Sequence, residues 1–148
     1  MLGRLARYLR FVGCDTLYLQ GRTDGELLEI ARREGRVLLT RDRQLGHRSS
    51  SAFLVESPML AEQWRAVRRA WPSIPTTPSF DRCTLCNGVL RQRSVHDLGD
   101  DAGELPASLR SGHGVVHVCE GCRHVYWDGS HTARIRDQIA AWEQESRR

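Results

Sequence analysis

The chain has 148 residues, a net charge of +4 near neutral pH and a hydrophobic fraction of 40%. This length suits one ordinary domain, or one small domain joined to a module that a metal ion stabilises. No apolar run approaches the roughly 18 residues of a membrane span, so the composition excludes a membrane-spanning protein and we expect a cytoplasmic one.

The positive charge is concentrated in the first half of the chain. Residues 1–71 carry 13 Arg and 8 acidic residues, a net charge of +5, whereas residues 72–148 carry 9 Arg and 10 acidic residues, a net charge of −1. All 22 basic residues are arginines, whose planar guanidinium groups bind phosphate oxygens in pairs. We therefore expect the first half to contact a polyanion, although many soluble domains carry such a charge without binding one.

An amphipathic helix is predicted at the N-terminus. Apolar residues recur at helical spacing from Leu2 to Val12, and Arg4, Arg7 and Arg10 fall on the opposite face. This stripe of three arginines is either a solvated surface or a surface that contacts phosphates. The segment also has the charge of a mitochondrial presequence, but it lacks the serines that are typical of one.

The following segments alternate between strands and helices. Thr23 and Glu26 form the pattern of a capping box, at the start of a helix that Gly35 ends. Strands that alternate with helices are typical of a parallel sheet with right-handed crossovers, so the predicted fold class is α/β. The predicted strands are 16–19, 37–40 and 52–55, the helix after them is 58–71, and a short irregular segment surrounds Leu45.

Acidic residues stand beyond the carboxyl ends of strands, where parallel sheets place their functional groups. Asp42 directly follows a predicted buried strand and is flanked by Arg41 and Arg43, whereas Asp24 and Glu26 follow the preceding strand. Clustered carboxylates can hold Mg²⁺ or Mn²⁺, which activates water for phosphodiester cleavage. Each acid also has a structural explanation, because Asp42 could cap the next segment and the other two could offset the helix dipole.

Two cysteine pairs follow a proline-rich segment, 72–80, which is predicted to be an extended linker. Cys83 and Cys86 form one C-x-x-C pair, and Cys119 and Cys122 form the other. Four thiolates at this spacing complete a closed tetrahedral zinc site, and a β-hairpin that joins the two turns makes a zinc ribbon. Two disulfides or a redox-active pair are the alternatives.

The remainder of the second half is predicted to be a loop and a helix. Residues 96–114 are rich in Gly, Asp and Ser, which favours a loop. Ser130 can cap a final helix, 131–146, with an apolar stripe of Ile135, Ile139 and Trp142. The predicted domains are 1–71, the linker 72–80, and a zinc ribbon with its C-terminal helix, 81–148.

Six segments taken together carry a family resemblance. They are LGRLARYLR at 2–10, DGELL at 24–28, VLLTRDR at 37–43, the two C-x-x-C pairs and YWDGSH at 126–131. In this order they resemble the Mut-seven C-terminal RNase domain, a PIN-like fold with a C-terminal zinc ribbon. The resemblance covers essentially the whole chain. It implies metal-dependent ribonuclease activity, with Asp42 and Asp24 in the metal site and Glu26 as an additional member.

The sequence departs from this family at one point. Proteins of the family usually begin with a short strand that ends in an Asp, immediately before the segment matched by residues 1–4. The sequence given starts after that point. Either its start was assigned too late, or the chain was shortened, or the protein is a degenerate form of the family. We therefore expect an acid site with one carboxylate fewer and a sheet with an exposed edge.

The sequence as a whole predicts a metal-dependent ribonuclease whose partner is RNA, with a structural zinc ion and catalytic Mg²⁺ or Mn²⁺. A non-catalytic RNA-binding or partner-binding module with an incomplete acid site is the main alternative, and a DNA-binding zinc-ribbon regulator is a third. The predicted catalytic residues are Asp42, Asp24 and Glu26. The predicted phosphate contacts are Arg4, Arg7, Arg41 and Arg43.

Overall fold

The computed structural model describes residues 2–111 and 114–145. The chain forms two compact units, of which the first comprises Met1–Ala6 and Leu17–Ile74, and the second comprises Arg7–Thr16 and Pro75–Arg148. The second unit thus includes a short segment from the N-terminal region. The domain limits expected from the sequence, at residues 71 and 81, remain a prediction.

A small parallel sheet forms within the first unit. The first elements in chain order are α1 (Gly3–Phe11), whose residues from Arg7 onward belong to the second unit, α2 (Asp24–Arg33), β1 (Leu38–Thr40), α3 (Arg43–Arg48), β2 (Ala52–Leu54) and α4 (Leu60–Ala70). Strands β1 and β2 run parallel, with Leu38 opposite Ala52 and Thr40 opposite Leu54. Parallel strands need a crossover connection, and α3 lies within it. The predicted α/β class is confirmed.

The core of the first unit is apolar and includes one face of α4. Val55 and Trp64 have no exposed surface, and Val67 is also buried. Trp64 and Val67 are three residues apart, so they lie on the same side of the helix. Leu60, the third member of the predicted face, is half-buried.

The predicted strand at 16–19 is wrong. The structure has no strand in this segment, and Leu17 and Leu19 remain 39% and 40% exposed. A strand is held by ladder hydrogen bonds to a neighbour, and the parallel sheet of the described residues contains β1 and β2 alone. The apolar pattern of the segment therefore did not produce a strand, because no partner strand pairs with it.

The segment around Leu45, which was expected to be irregular, forms the short helix α3. Asp42 is its N-cap, and its Oδ1 accepts a hydrogen bond from the Leu45 N–H at 2.9 Å. The first N–H groups of a helix have no partner within the helix, so such a cap stabilises it.

The second unit is built on an antiparallel sheet with the strand order β3 (Leu90–Ser94), β4 (Val115–Cys119) and β5 (Val125–Tyr126). Leu90 lies opposite Cys119 and Ser94 opposite Val115, in the longer of the two pairings. This sheet and the C-terminal helix confirm the remainder of the predicted fold class. The other elements are a 3₁₀ segment (Val95–Glu104) that is kinked at Gly99, α5 (Ala107–Arg110) and α6 (Ser130–Glu145).

The prediction of a loop at 96–114 is wrong for most of its length, because the 3₁₀ segment and α5 occupy it. Leu98 and Leu105 belong to one buried cluster with Val116 of β4. The Gly- and Asp-rich composition predicted a loop, whereas these two leucines give the segment an apolar side that packs on the sheet. Residues 112 and 113 lie outside the described part of the chain.

Helix α6 agrees with the predicted terminal helix, of which residue 146 lies outside the described residues. Ile139 and Trp142 are buried and Ile135 is half-buried. The centroids of the Trp142 and Tyr8 rings lie 4.8 Å apart. Helix α6 has 16 residues. No helix in the described ranges is long and apolar enough to cross a membrane.

Candidate functional site

Two tight turns of the second unit bring four cysteines together. Cys83 and Cys86 lie in the turn before β3, whereas Cys119 ends β4 and Cys122 lies in the turn before β5. Their four sulfur atoms all lie within 4.8 Å of one another. We call these residues the cysteine group. Among the residues that the structure describes, it is the one cluster of three or more potential metal ligands.

The two turns share a backbone geometry. The N–H of the residue after each pair donates to the carbonyl of the first cysteine, from Asn87 to Cys83 at 2.9 Å and from Arg123 to Cys119 at 3.0 Å. Asn87 and Arg123 both adopt left-handed backbone conformations, with φ of 69° and 66°. Each turn therefore folds back on itself in the same way and presents its two sulfur atoms to the same point.

The pairing of β3 with β4 places one turn against the other. Leu90 and Cys119 are opposite each other in the ladder, and the Glu120 N–H donates to the Val89 carbonyl at 3.0 Å just beyond it. As a result, the sulfur atoms of Cys86 and Cys119 lie 3.4 Å apart although the residues are 33 positions apart in sequence.

The sulfur positions suit a metal ion such as zinc. The Cys83 and Cys122 sulfur atoms are 3.6 Å apart, and those of Cys86 and Cys119 are 3.4 Å apart. Zinc–sulfur bonds of about 2.3 Å in a tetrahedron would place the sulfur atoms about 3.8 Å apart, whereas a disulfide needs about 2.05 Å. All the cysteines are free thiols in this structure, so its geometry favours the predicted metal site over the alternative of two disulfide bridges.

Hydrogen bonds and burial set the acidity of the thiols. Burial opposes ionisation of Cys83, but hydrogen bonds from the Tyr126 hydroxyl and from two backbone N–H groups outweigh it and lower the pKa to about 7. Burial raises the pKa of Cys122 to about 12. A metal ion bound to these sulfur atoms would oppose this shift, because its positive charge favours the thiolate.

The first turn has room for glycine alone at position 88. A Cβ atom on Gly88 would lie 2.8 Å from the Cys119 sulfur and 3.2 Å from the Cys86 sulfur. A Cβ atom on Gly121, in the second turn, would lie 3.7 and 3.8 Å from the same two sulfur atoms, which is ordinary contact. Gly88 also donates its N–H to the Cys86 sulfur at 3.4 Å.

Arg10 is not part of an exposed arginine stripe, and this corrects the sequence prediction. The residue is 5% exposed, and its guanidinium donates to the carbonyls of Thr84 and Leu85 at 3.2 and 3.0 Å. Those two residues lie between the cysteines of the first pair. Helical spacing grouped Arg10 with Arg4 and Arg7, but its long side chain reaches the first cysteine turn instead.

The four predicted phosphate contacts are exposed. Arg4 and Arg7 lie on α1, and Arg41 and Arg43 flank the N-cap of α3. Arg43 lies 3.4 Å from the Glu56 carboxylate, in an ion pair whose side chains are 76% and 65% exposed. Such exposed pairs contribute about 0–1 kcal/mol, so this one does not prevent Arg43 from binding a phosphate.

Asp24 and Asp42 are both exposed residues at the starts of helices. Asp24 is the first residue of α2, and Asp42 caps α3 through one carboxylate oxygen. A carboxylate has two oxygens and about four acceptor sites. Capping by Asp42 therefore leaves acceptor capacity for a cation.

Glu26 completes the predicted capping box of α2. Its Oε2 accepts a hydrogen bond from the Thr23 N–H at 2.7 Å, and its own N–H donates to the Thr23 hydroxyl at 3.3 Å. Arg22 donates to the other carboxylate oxygen at 3.1 Å. The contacts with Thr23 and then Arg22 hold the pKa of Glu26 below its usual value. Both oxygens of this acid thus have partners in the protein.

The structure does not assemble the three predicted acids as it assembles the cysteines. Asp24, Asp42 and Glu26 do not form a group of three or more potential metal ligands within the described residues. Mg²⁺ commonly uses one or two carboxylates together with water and substrate phosphates. Three converging acids are therefore not a requirement for binding it.

Three residues that serve the cysteine group were missed in the sequence: Tyr126, Asn87 and Gly88. Asn87 and Gly88 directly follow the first pair, and Asn and Gly favour the tight or left-handed backbone that such a turn requires. That pattern could have identified them. The contact of Tyr126 with Cys83 has no local pattern, because it depends on the pairing of distant strands.

Comparisons with known proteins agree with this architecture. A family model described as the Mut7-C RNAse domain matches residues 1–139. No curated protein and no solved structure matches the chain.

Proposed function

Because this chain belongs to the Mut7-C RNase domain family, we propose that it is a metal-dependent ribonuclease that cleaves RNA phosphodiester bonds. The observation that carries the proposal is the family match, which extends over residues 1–139. This range includes the exposed acids, the exposed arginines and the cysteine group. A ribonuclease-related function follows from the family, and the dependence on Mg²⁺ or Mn²⁺ is the further step proposed for this chain.

Asp42 and Asp24 are the proposed catalytic residues, and Glu26 is an additional candidate. Asp42 is exposed directly after the carboxyl end of β1, the position at which parallel sheets carry functional groups. The hydrogen bond from Leu45 orients its carboxylate. A bound Mg²⁺ or Mn²⁺ would supply an activated water and stabilise the negative charge that develops on the phosphodiester.

The exposed arginines are proposed to position the RNA. Arg41 and Arg43 stand on either side of Asp42, so a phosphate that they bind would lie close to its carboxylate. Arg4 and Arg7 are three residues apart on α1 and are proposed to contact other phosphates of the RNA backbone. Contacts with phosphates orient a nucleic acid and add affinity without selecting its sequence.

The cysteine group is proposed to hold one zinc ion with a structural role. Four thiolates fill all the positions of a tetrahedral ion, which leaves none for a substrate. The zinc would therefore stabilise the second unit, and cleavage would depend on the acids of the first.

The alternative function is a non-catalytic module that binds RNA or a protein partner. The observation that favours it is that Asp24, Asp42 and Glu26 do not form a group of three or more ligands in the described part of the chain. Glu26 in particular uses both carboxylate oxygens in contacts with Thr23 and Arg22. The ribonuclease and an RNA-binding module both require RNA affinity that falls with salt concentration, so turnover is what separates these two functions.

The test is cleavage of a labelled RNA of mixed sequence by the chain and by its Asp42→Asn variant. Asn caps helices as well as Asp, so this variant keeps the cap of α3 and loses only the charge. The zinc-loaded protein should be freed of other divalent ions by gel filtration, because a chelator would also remove the zinc. We expect cleavage with added Mn²⁺ or Mg²⁺, reduced about 100-fold or more in the variant, or roughly 2.7 kcal/mol of transition-state stabilisation.

Glu62→Gln is the matched control, because Glu62 is also an exposed acid in the first turn of a helix, α4. It should cleave as the unchanged chain does. Cleavage that is absent from all three proteins, with RNA binding intact, would contradict the ribonuclease proposal and favour the binding module. Equal cleavage by all three would instead remove Asp42 from the catalytic site.

A further inference from the structure

A buried arginine joins a segment near the N-terminus to the first cysteine turn. Arg10 is 5% exposed, and arginine is almost never buried to this degree without partners. Its guanidinium donates to the carbonyls of Thr84 and Leu85, and its Nε donates to the Thr16 carbonyl at 2.7 Å. One side chain therefore holds the end of its own segment and the cysteine turn at the same time.

A second side chain joins the same two segments from the other direction. Asn87 is buried; its Oδ1 accepts the Thr16 N–H at 2.9 Å, and its Nδ2 donates to Asp15 at 2.7 Å. Arg82 lies 3.6 Å from the other oxygen of Asp15. Asn87 is also the residue whose left-handed conformation closes the first turn. The residue that shapes the turn is thus one that holds residues 15 and 16.

The carbonyls that Arg10 binds belong to two particular peptide groups. The Thr84 carbonyl shares its peptide group with the Leu85 N–H, and the Leu85 carbonyl shares its own with the Cys86 N–H. Both of these N–H groups favour the ionised form of the Cys83 thiol and help to lower its pKa. In a planar trans peptide the C=O and N–H point in opposite directions. The cation on the oxygen side therefore orients and polarises the same groups that face the sulfur.

The positive charge of Arg10 also favours a position beside the metal centre. A zinc ion with four thiolates carries two excess negative charges, and a partly buried charge is costly unless an opposite charge lies close to it. Arginine remains protonated in proteins, and its planar group can bind two carbonyls at once. Arg10 is thus suited both to balance the charge of the metal centre and to fix its first turn.

We propose that Arg10 is a positioning residue of the metal centre, and that metal binding orders residues 10–16 together with the first cysteine turn. Arg10 does not contact the sulfur atoms through its own side-chain donors in this arrangement; it acts through the two peptide groups. Loss of the metal would release the turn, and the turn would release the Thr16 end of the segment. This inference is independent of the proposed cleavage of RNA.

The first test compares Arg10→Gln and Arg10→Lys with Arg134→Gln in the full chain. Arg134 is an exposed arginine of the second unit, on α6, and serves as the matched control. Two measurements report on the metal centre: the rate of zinc transfer to a coloured chelator, and the visible absorption of Co²⁺ bound in place of zinc. The Co²⁺ spectrum follows the geometry of the thiolates and would not change through a mere loss of stability.

We expect zinc release about 10- to 100-fold faster in Arg10→Gln, the range for losing a residue that orients metal ligands, with an altered Co²⁺ spectrum. Arg10→Lys should recover part of the loss, because it keeps the charge but not the two-pronged group. Arg134→Gln should match the unchanged chain. Release from Arg10→Gln at the rate of Arg134→Gln, with an unaltered spectrum, would overturn the proposal.

The second test needs no variant, so it tests the ordering of residues 10–16 even if Arg10→Gln fails to fold. Hydrogen exchange of the Thr16 amide is measured in the zinc-loaded chain and after zinc is removed. We expect strong protection with zinc, because Asn87 accepts the Thr16 N–H, and loss of that protection without it. A Thr16 amide that stays protected after removal of zinc would show that the segment is ordered independently of the metal.

Discussion

The cysteine group and the predicted acids are two candidate metal centres that the chain builds in different ways. The four sulfur atoms lie within 4.8 Å of one another, in two turns with matching backbone hydrogen bonds. Asp24 and Asp42 instead begin separate helices and are exposed. A C-x-x-C turn brings two ligands together within four residues, whereas an acid site depends wholly on how distant elements are assembled.

The hydrogen bonds around the two candidate centres also differ. Cys83 receives hydrogen bonds from Tyr126 and from the turn backbone, and Gly88 leaves space for the neighbouring sulfur atoms. The hydrogen bonds of Asp42 and Glu26 serve the helices that they begin. The cysteine group therefore has the arrangement that a metal site needs, whereas the acids would need RNA and the ion to complete a site.

The largest effect is expected from Cys83→Ser, which removes a fully buried ligand. Structural zinc contributes roughly 10–16 kcal/mol in small zinc-finger peptides, so the second unit should lose its zinc and its ordered structure. Zinc content per chain and circular dichroism would measure both. Cys14→Ser is the control, because Cys14 is a free thiol outside the cysteine group. One zinc per chain in the Cys83→Ser variant would contradict the assignment of four cysteines to the site, since three would then suffice to bind zinc.

A smaller effect is expected from Gly88→Ala, which sharpens the comparison between the two turns. The added Cβ would lie 2.8 Å from the Cys119 sulfur, so a ligand must shift and zinc affinity should fall about 10- to 100-fold. Gly121→Ala places its Cβ no closer than 3.7 Å to a sulfur and should change affinity little. Competition with a chelator measures both variants. Equal affinities would show that the first turn tolerates the additional atom.

The smallest effect is expected at Glu26, where the aim is to separate capping from catalysis. Glu26→Gln can keep the capping box, which accepts Glu or Gln, whereas Glu26→Ala cannot. The melting temperature should therefore fall slightly in Glu26→Ala and stay nearly unchanged in Glu26→Gln. If Glu26→Gln keeps its stability but cleaves RNA more slowly, Glu26 is a catalytic acid. Unchanged cleavage would leave Glu26 with a capping role alone.

The same residue gives a pH dependence with a definite sign. The pKa of Glu26 lies below its ordinary value of 4.5 in the folded chain, because of hydrogen bonds from Thr23 and then Arg22. Its stabilising contribution is therefore fully present above pH 4.5 and is lost as the pH falls through the lowered pKa. Glu26→Gln should remove this part of the acid sensitivity, and pH titration of the melting temperature would detect it.

Local patterns predicted the elements whose stability is local. The capping box of Thr23 and Glu26, the strand ending at Thr40 and the buried face of α4 all follow from spacing within a few residues. The segment 16–19 had a suitable pattern and formed no strand, because a ladder needs a partner that the pattern does not specify. The loop at 96–114 was mistaken because Leu98 and Leu105 pack on a sheet formed elsewhere in the chain.

The sequence by itself predicted the cysteine group as a candidate metal site, the family, the α/β class and the capping residues of α2 and α3, because each depends on residue type and short spacing. The tertiary structure alone decided that Arg10 turns inward to the first cysteine turn, that Tyr126 faces Cys83, and that the three acids do not form a group of three or more ligands within the described residues. These contacts join residues that are distant in the chain. Strand pairing and side-chain packing bring such residues together, and no local pattern of residues encodes either.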